Sequence, residues 1–160
     1  MSDHSFNRAI IRRAREDETA ALTGICLTAK RALGYDDAFM AACTDELTIT
    51  PERLRDGEFW VFDDGKPQGV ACLAIDSESR SGSVHSFFVA PNAQGKRVGR
   101  RLWAKLLERA LERRLERIEL ESEPLSIGFY RKLGFRQIGE VPSSARAGRM
   151  LPLMELVFDA

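Results

Sequence analysis

The sequence predicts a mixed α/β domain with elements in the order β-α-α-β-β-β-α-β-α-β-β. Short apolar and aromatic runs alternate with stretches whose apolar residues recur at helical spacing. A long amphipathic stretch separates strand candidates at Val84 and Ile118, which makes it a helical crossover between them. The 160 residues contain no internal repeat, low-complexity tract or linker, so residues 1–160 read as one domain.

Ala9 to Arg12 is the first short strand, and Asp17 offers an N-cap to a helix carrying Ala21, Leu22, Ile25 and Ala29 on one side. A second helical piece follows Gly34-Tyr35-Asp36, and Thr50-Pro51-Glu52 has the cap and first turn of a third, short one. Phe59 to Phe62 and Val70 to Ile75 are strands joined by Asp63-Asp64-Gly65-Lys66-Pro67, where Asp-Gly supplies the positive φ of a tight turn. Val84 to Val89 is another strand, stopped by Pro91. From about Gly99 to Leu115, Leu102, Leu106 and Ala110 form one apolar row and Trp103, Leu107, Leu111 and Leu115 the next. Ile118 to Ser122 is a strand, Pro124 to Lys132 a short helix ended by Gly134. Phe135 to Val141 and Leu153 to Phe158 close the chain as strands around a loop with Gly148 and Pro152, and Met150 to Met154 reads as loop and edge-strand packing.

Composition excludes several classes. With 44% hydrophobic and 30% charged residues the chain can build a core under a polar surface. No apolar run approaches the roughly 18 residues that span a bilayer. The first residues, MSDHSFNRAIIRR, lack the apolar block of a secretory signal, and Cys26, Cys43 and Cys72 form no disulfide framework. A cytoplasmic protein with buried free thiols is the expectation. His4 and His85 are isolated, so no metal site is expected. Both Trp60 and Trp103 are expected in the core.

Basic and acidic residues balance at 24 each, yet Gln94 to Arg117 holds nine cations against three acids. Its arginines alternate with Glu108, Glu112 and Glu116, which points to self-paired helix charge and away from a nucleic-acid surface. At the head of that segment a strand ends at Val89, and a loop with Gln94, Gly95, Lys96, Arg97, Val98, Gly99 and Arg100 leads into the helix. Main-chain N–H groups at a helix start, together with these cations, suit a phosphate. It is neither a Walker loop nor a dinucleotide fingerprint. On the loop alone, a cradle and an ordinary helix start with a solvated basic end account for it equally well.

Glu123 to Phe135 forms the second constellation, with Phe129-Tyr130 followed by Gly134-Phe135. With Gln94 and Gly99 matching a Gln/Arg-x-x-Gly-x-Gly/Ala pattern, and these four a Phe-Tyr-x-x-x-Gly-Phe pattern, the sequence resembles the GNAT superfamily of acetyl-CoA-dependent N-acetyltransferases. Two positions depart from the family pattern: Arg97 replaces the usual middle glycine, and Leu125 stands where many members have asparagine.

The resemblance implies a mostly antiparallel sheet flanked by helices, with acetyl-CoA in a cleft where two parallel strands splay near Val89 and Ser122. Phe88 and Val89 would pair with the pantetheine, Gln94 to Arg100 would hold the pyrophosphate, and Leu125 and Phe129 would line the cofactor. Tyr130 matches the residue that protonates the departing thiolate. An amine must lose a proton before attack, and His85 is the first candidate base, placed by strand alternation on the face of Phe87 and Val89. A strand histidine satisfied by hydrogen bonds is the other reading; Glu119 and Glu121 are second choices. For a small-molecule or peptide amine acceptor, Tyr35 and Phe39 are the candidate contacts, with Asp36, Asp37, Ser143, Ser144 and Arg146 nearby. Family relatives often pair through their last strands, so the resemblance makes a homodimer one possible assembly. A non-catalytic acyl-CoA-binding module is the alternative, and a nucleic-acid-binding domain a remote one.

Overall fold

The computed structural model describes residues 8–159, so His4 lies outside the described residues. Strands β1 (Ile10–Arg13), β2 (Glu58–Asp63), β3 (Pro67–Asp76), β4 (Ser81–Val89), β5 (Arg117–Glu121), β6 (Arg136–Pro142) and β7 (Met150–Val157) form one seven-stranded sheet. Their order is β1-β2-β3-β4-β5-β7-β6, antiparallel except for the β4–β5 pair. Helices α1 (Thr19–Arg31), α2 (Asp37–Leu47), α3 (Pro51–Asp56), α4 (Val98–Glu112) and α5 (Ile127–Lys132) cover it.

Two cores separate the faces. One joins Leu102, Trp103, Leu106 and Ala110 of α4 to Ile118, Leu120, Tyr130 and Phe135; the other joins Leu22, Cys26, Phe39 and Cys43 to Phe59, Val70 and Cys72. Full burial of a leucine such as Leu102 or Leu106 contributes about 2 kcal/mol. All three cysteines are buried and free, and burial pushes the Cys26 and Cys72 thiols up to about 12. Trp103 is buried; Trp60 is only half-buried, between Arg13 and Lys105.

Local chemistry sets most boundaries. Asp36 Oδ1 accepts from the Phe39 N–H at 2.8 Å to cap α2, and Thr50 Oγ1 caps α3 from one residue before Pro51. Gly65 holds φ 114° in the β2–β3 turn. Asp17 does not cap α1: it lies in a 3-10 turn, Glu16–Glu18, which Glu18 stabilises by accepting from the Arg15 N–H and from Arg12.

The other difference is at the C-terminal strands. Met150 to Met154 belongs to β7, which lies between β5 and β6, and Met154 is fully buried. Pro152 is tolerated inside this strand because it sits where the β5 ladder ends; its carbonyl still accepts from the Ser122 N–H at 2.8 Å.

Candidate active site in the splayed cleft

Strands β4 and β5 pair only at Ser81–Arg117, Gly82–Ile118 and Ser83–Glu119. Beyond these pairs β4 runs on to Val89 and β5 to Glu121 without bonding to each other, so one edge of β4 from Val84 onward faces a gap. A cavity of about 760 Å³ occupies it. Val84 and Leu120 from one face and His85 and Glu121 from the other all line it, so it passes through the sheet between the two cores.

On the α4 face, Phe87, Val89, Gln94, Gly99, Phe129 and Tyr130 line the cavity. The Gln94 side-chain amide donates to the Val89 carbonyl at 3.0 Å, tying the loop to the strand end. Gly95 (φ 79°) and Arg97 (φ 64°) both hold left-handed backbone, and Arg97 is the N-cap of α4. That conformation explains why glycine suits position 97; an arginine there costs about 1–2 kcal/mol. Arg97, Lys96 and Arg100 are exposed around the helix start. The Val98 side chain is 1% exposed and packs into the core, leaving only its main chain to the loop. A Cβ on Gly99 would stand 3.3 Å from Phe129, so this glycine lets the α5 aromatic close against α4. Leu125, 75% exposed, lines the cavity as well.

Tyr130 is 7% exposed and packs edge-on against Phe87, Phe129 and Phe135. Burial raises its pKa well above the ordinary phenol value, with no neighbouring charge opposing the shift. The hydroxyl therefore keeps its proton at neutral pH.

His85 lies on the other face. Ser86 adopts φ 51°, and the register shifts so that Cys72 faces His85 while Val70 faces Phe88. This bulge breaks the alternation. Phe87 and Val89 pack on the α4 core, whereas His85 and Phe88 take the face of Cys72 and Val70, correcting the expected placement of His85. Its Nε2 is 2.8 Å from Ser83 Oγ. The imidazole is in contact with solvent, yet the surrounding walls hold its pKa below the usual histidine value, against the opposing charge of Glu121 and with that of Arg53. Ser83 was missed in the sequence, although its position two residues before His85 could have suggested a partner.

Neither Tyr35 nor Phe39 is among the residues lining the cavity. Phe39 is 2% exposed, in the α1–α2 core, with its ring stacked on Tyr35 at 4.0 Å. The Tyr35 hydroxyl donates to Glu123 and accepts from Arg149; burial first, then the Glu123 bond, raises its pKa to about 12. Glu123 also binds Lys30 and Arg149. Burial pushes the Glu123 carboxyl up, but the Lys30 and Tyr35 bonds and the two cations together hold it below the usual range. This cluster joins α1, the α2 entry, the end of β5 and the β6–β7 loop; Ser144, bonding Glu46 at 2.9 Å, fastens the same loop to α2. Separations of 93, 88 and 26 residues kept the Glu123 cluster from being legible locally.

The model of the acetyltransferase (GNAT) family matches residues 27–135. The chain belongs to this family. GNAT proteins of known structure share the fold: PaiA N-acetyltransferase from Thermoplasma acidophilum, solved with coenzyme A, has a TM-score of 0.78 at 16% identity over 94% of this chain and 99% of its own. A GCN5-related N-acetyltransferase from Rhodopseudomonas palustris gives 0.77 at 18% identity, over 93% and 95%. N-acetylglutamate synthase from Neisseria gonorrhoeae, bound to coenzyme A and N-acetylglutamate, gives 0.67 at 19% identity, over 95% of this chain and 35% of that one. A search of curated proteins finds no significant match. As a GNAT protein the chain is an acyltransferase, and the family's acyl donor is acetyl-CoA. Among the described residues no group of three or more His, Cys, Asp or Glu side chains could hold a metal, and no helix is long and apolar enough to cross a membrane.

Proposed function

We propose that the protein transfers an acetyl group from acetyl-CoA to a primary amine of a small molecule or peptide, by direct attack in a ternary complex in the cytoplasm. The cavity through the splayed β4–β5 pair carries this reading, because it joins a phosphate-compatible helix start on one face to a histidine and carboxylates on the other. The residues fit the donor: left-handed backbone at Gly95 and Arg97 turns the loop toward α4, the unpaired edge of β4 can bond an extended amide chain, and Leu125 offers exposed apolar surface.

The donor supplies an activated thioester. The Val89 main-chain N–H, on the edge of β4 turned away from β3, orients the acyl carbonyl and stabilises negative charge on its oxygen, while Phe88, whose N–H faces Val70 of β3, lines the cavity beside it. Gln94 to Arg100 hold the pyrophosphate by main-chain bonds and cationic side chains, and Phe129 packs beside them. With Ser83 Oγ accepting from Nε2–H, His85 keeps a basic Nδ1, which takes the proton from the acceptor ammonium directly or through a water. The nitrogen–carbon bond forms as the carbon–sulfur bond breaks, and the Tyr130 hydroxyl gives its proton to the departing sulfur.

Calorimetric titration with acetyl-CoA, CoA and ADP, followed by an amine screen, tests this function. Saturable binding of both CoA compounds, weakened in Arg97→Ala and Arg100→Ala, together with amine-dependent thiol release supports it. CoA binding without turnover for any amine would leave an acyl-CoA-binding module. No binding at millimolar ligand would overturn both.

A further inference from the structure

Resting on this transferase reading, we infer that the acceptor is a small amine carrying a second, non-reacting cationic group, held by the carboxylates of β5 on the His85 side of the sheet. Five carboxylates line the cavity, from Glu46, Asp56, Glu119, Glu121 and Glu123, against two cations, Lys30 and Arg53. Lys30 is neutralised by Glu123, which Arg149 approaches at 3.3 Å as well. Arg53 donates to the main-chain carbonyls of Glu46, Thr48 and Asp45 at 2.6, 2.8 and 3.2 Å. Among the described residues, the Glu46 carboxylate accepts only from the neutral Ser144 hydroxyl. Glu119 has Arg117 at 4.0 Å, a half-exposed pair that neutralises little, while Asp56 and Glu121 form no ion pair among the described residues. The cavity thus retains an excess of negative charge.

Strand geometry aims two of these groups. Ile118 and Leu120 face the α4 core, so Glu119 and Glu121 project from the opposite side of β5. Glu119 is beside Ser83 across the last β4–β5 pair, and Glu121 stands beyond it, where the strands part next to His85. Carboxylates around a reacting ammonium strengthen its hold on the proton it must lose, so they work against a substrate whose single charge is the reacting one. They favour one that keeps another charge throughout. A cation that remains ionised gains the same attraction in the ground state and at the transition state. The cavity volume suits a small molecule of this kind.

Three acceptors of similar length test the inference: 1,4-diaminobutane, 1-aminobutane and 4-aminobutanoate, differing in tail charge. Thiol release and calorimetric binding to the CoA-loaded protein are measured for each. We expect kcat/KM for the diamine to exceed that of 1-aminobutane about tenfold or more, with 4-aminobutanoate poorest. The diamine KM should rise with salt. Glu121→Gln and Glu119→Gln should shrink the diamine-to-monoamine ratio while acetyl-CoA affinity and melting temperature hold. If either variant does not fold, the wild-type comparison of the three tails decides alone. Equal or better use of 1-aminobutane or 4-aminobutanoate overturns the inference and leaves the transferase reading standing. Selective diamine binding without thiol release supports the cationic site and leaves the transferase reading to be decided by the amine screen; absence of both binding and turnover for the diamine at millimolar concentration overturns the inference.

Discussion

Phe129 of α5 lies 3.3 Å from where a Cβ on Gly99 of α4 would stand, so the two helices meet at the helix start that borders the cavity. Gly99→Ala gains helix propensity, about 1 kcal/mol, but must push the aromatic ring by a few tenths of an ångström. The expected outcome is a melting temperature close to wild type with a severalfold weaker acetyl-CoA Kd. Differential scanning calorimetry and isothermal titration on the same preparation check it; unchanged affinity would show that Phe129 moves without affecting the donor.

Arg97 separates backbone strain from charge. Arg97→Gly relieves the left-handed conformation at φ 64°, whereas Arg97→Ala keeps it. The glycine variant should be more stable than the alanine one by about 1 kcal/mol in urea denaturation. Both should lose CoA affinity to a similar extent, because both lack the guanidinium. A glycine variant that binds CoA as tightly as wild type would assign that position to backbone alone.

Tyr130→Phe removes a hydroxyl while the ring's packing against Phe87, Phe129 and Phe135 stays. If Tyr130 protonates the leaving sulfur, kcat falls about a hundredfold and acetyl-CoA Kd is unchanged. A phenylalanine variant with wild-type kcat would leave the tyrosine a packing residue.

The imidazole of His85 should titrate below the usual histidine value of about 6.5, since surrounding walls disfavour its charged form more than Glu121 favours it. Proton NMR of the ring, assigned with His85→Gln, reads this directly. Under the proposed reaction, kcat/KM rises as that group loses its proton, and the rise is missing in His85→Gln. Acceptor ammonium deprotonation adds a separate increase at higher pH in both proteins.

Glu123→Gln tests the clamp. Removing one partner from the half-buried Lys30–Glu123–Arg149 cluster should cost about 2–3 kcal/mol. The pH dependence has a definite sign: a carboxylate held below its unfolded value stabilises fully above about 4.5 and loses that contribution as pH falls through its folded value. Stability should therefore fall less steeply below about pH 4.5 in the variant than in wild type, as followed by urea melts across pH.

What could be read from the sequence was local. The Thr50 and Asp36 caps, the Gly65 turn, the α4 apolar rows and the two constellations each have their causes within a few neighbouring residues. Gln94, Gly99, Phe129 and Tyr130 stand out that way as candidates, and all line the cavity. Strand alternation failed at Ser86, because a non-glycine bulge leaves no compositional mark yet turns His85 to the opposite face. Phe39 was misplaced because its aromatic neighbour Tyr35 suggested a binding surface, while its burial depends on α1 and the β2–β3 strands packing over it. The position of β7 inside the sheet follows from pairings with β5 and β6 that no run of residues specifies.

The gap between β4 and β5 has a kinetic meaning. Under the proposed reaction, a donor seated on the α4 face and an amine seated beside His85 would reach the reaction point from opposite sides of one wall, so neither would have to leave before the other arrives. Steady-state lines at varied donor and acceptor should intersect, and inhibitors built on either half alone should bind together. A single compound threaded through the opening would combine both halves, with only one loss of molecular freedom on binding.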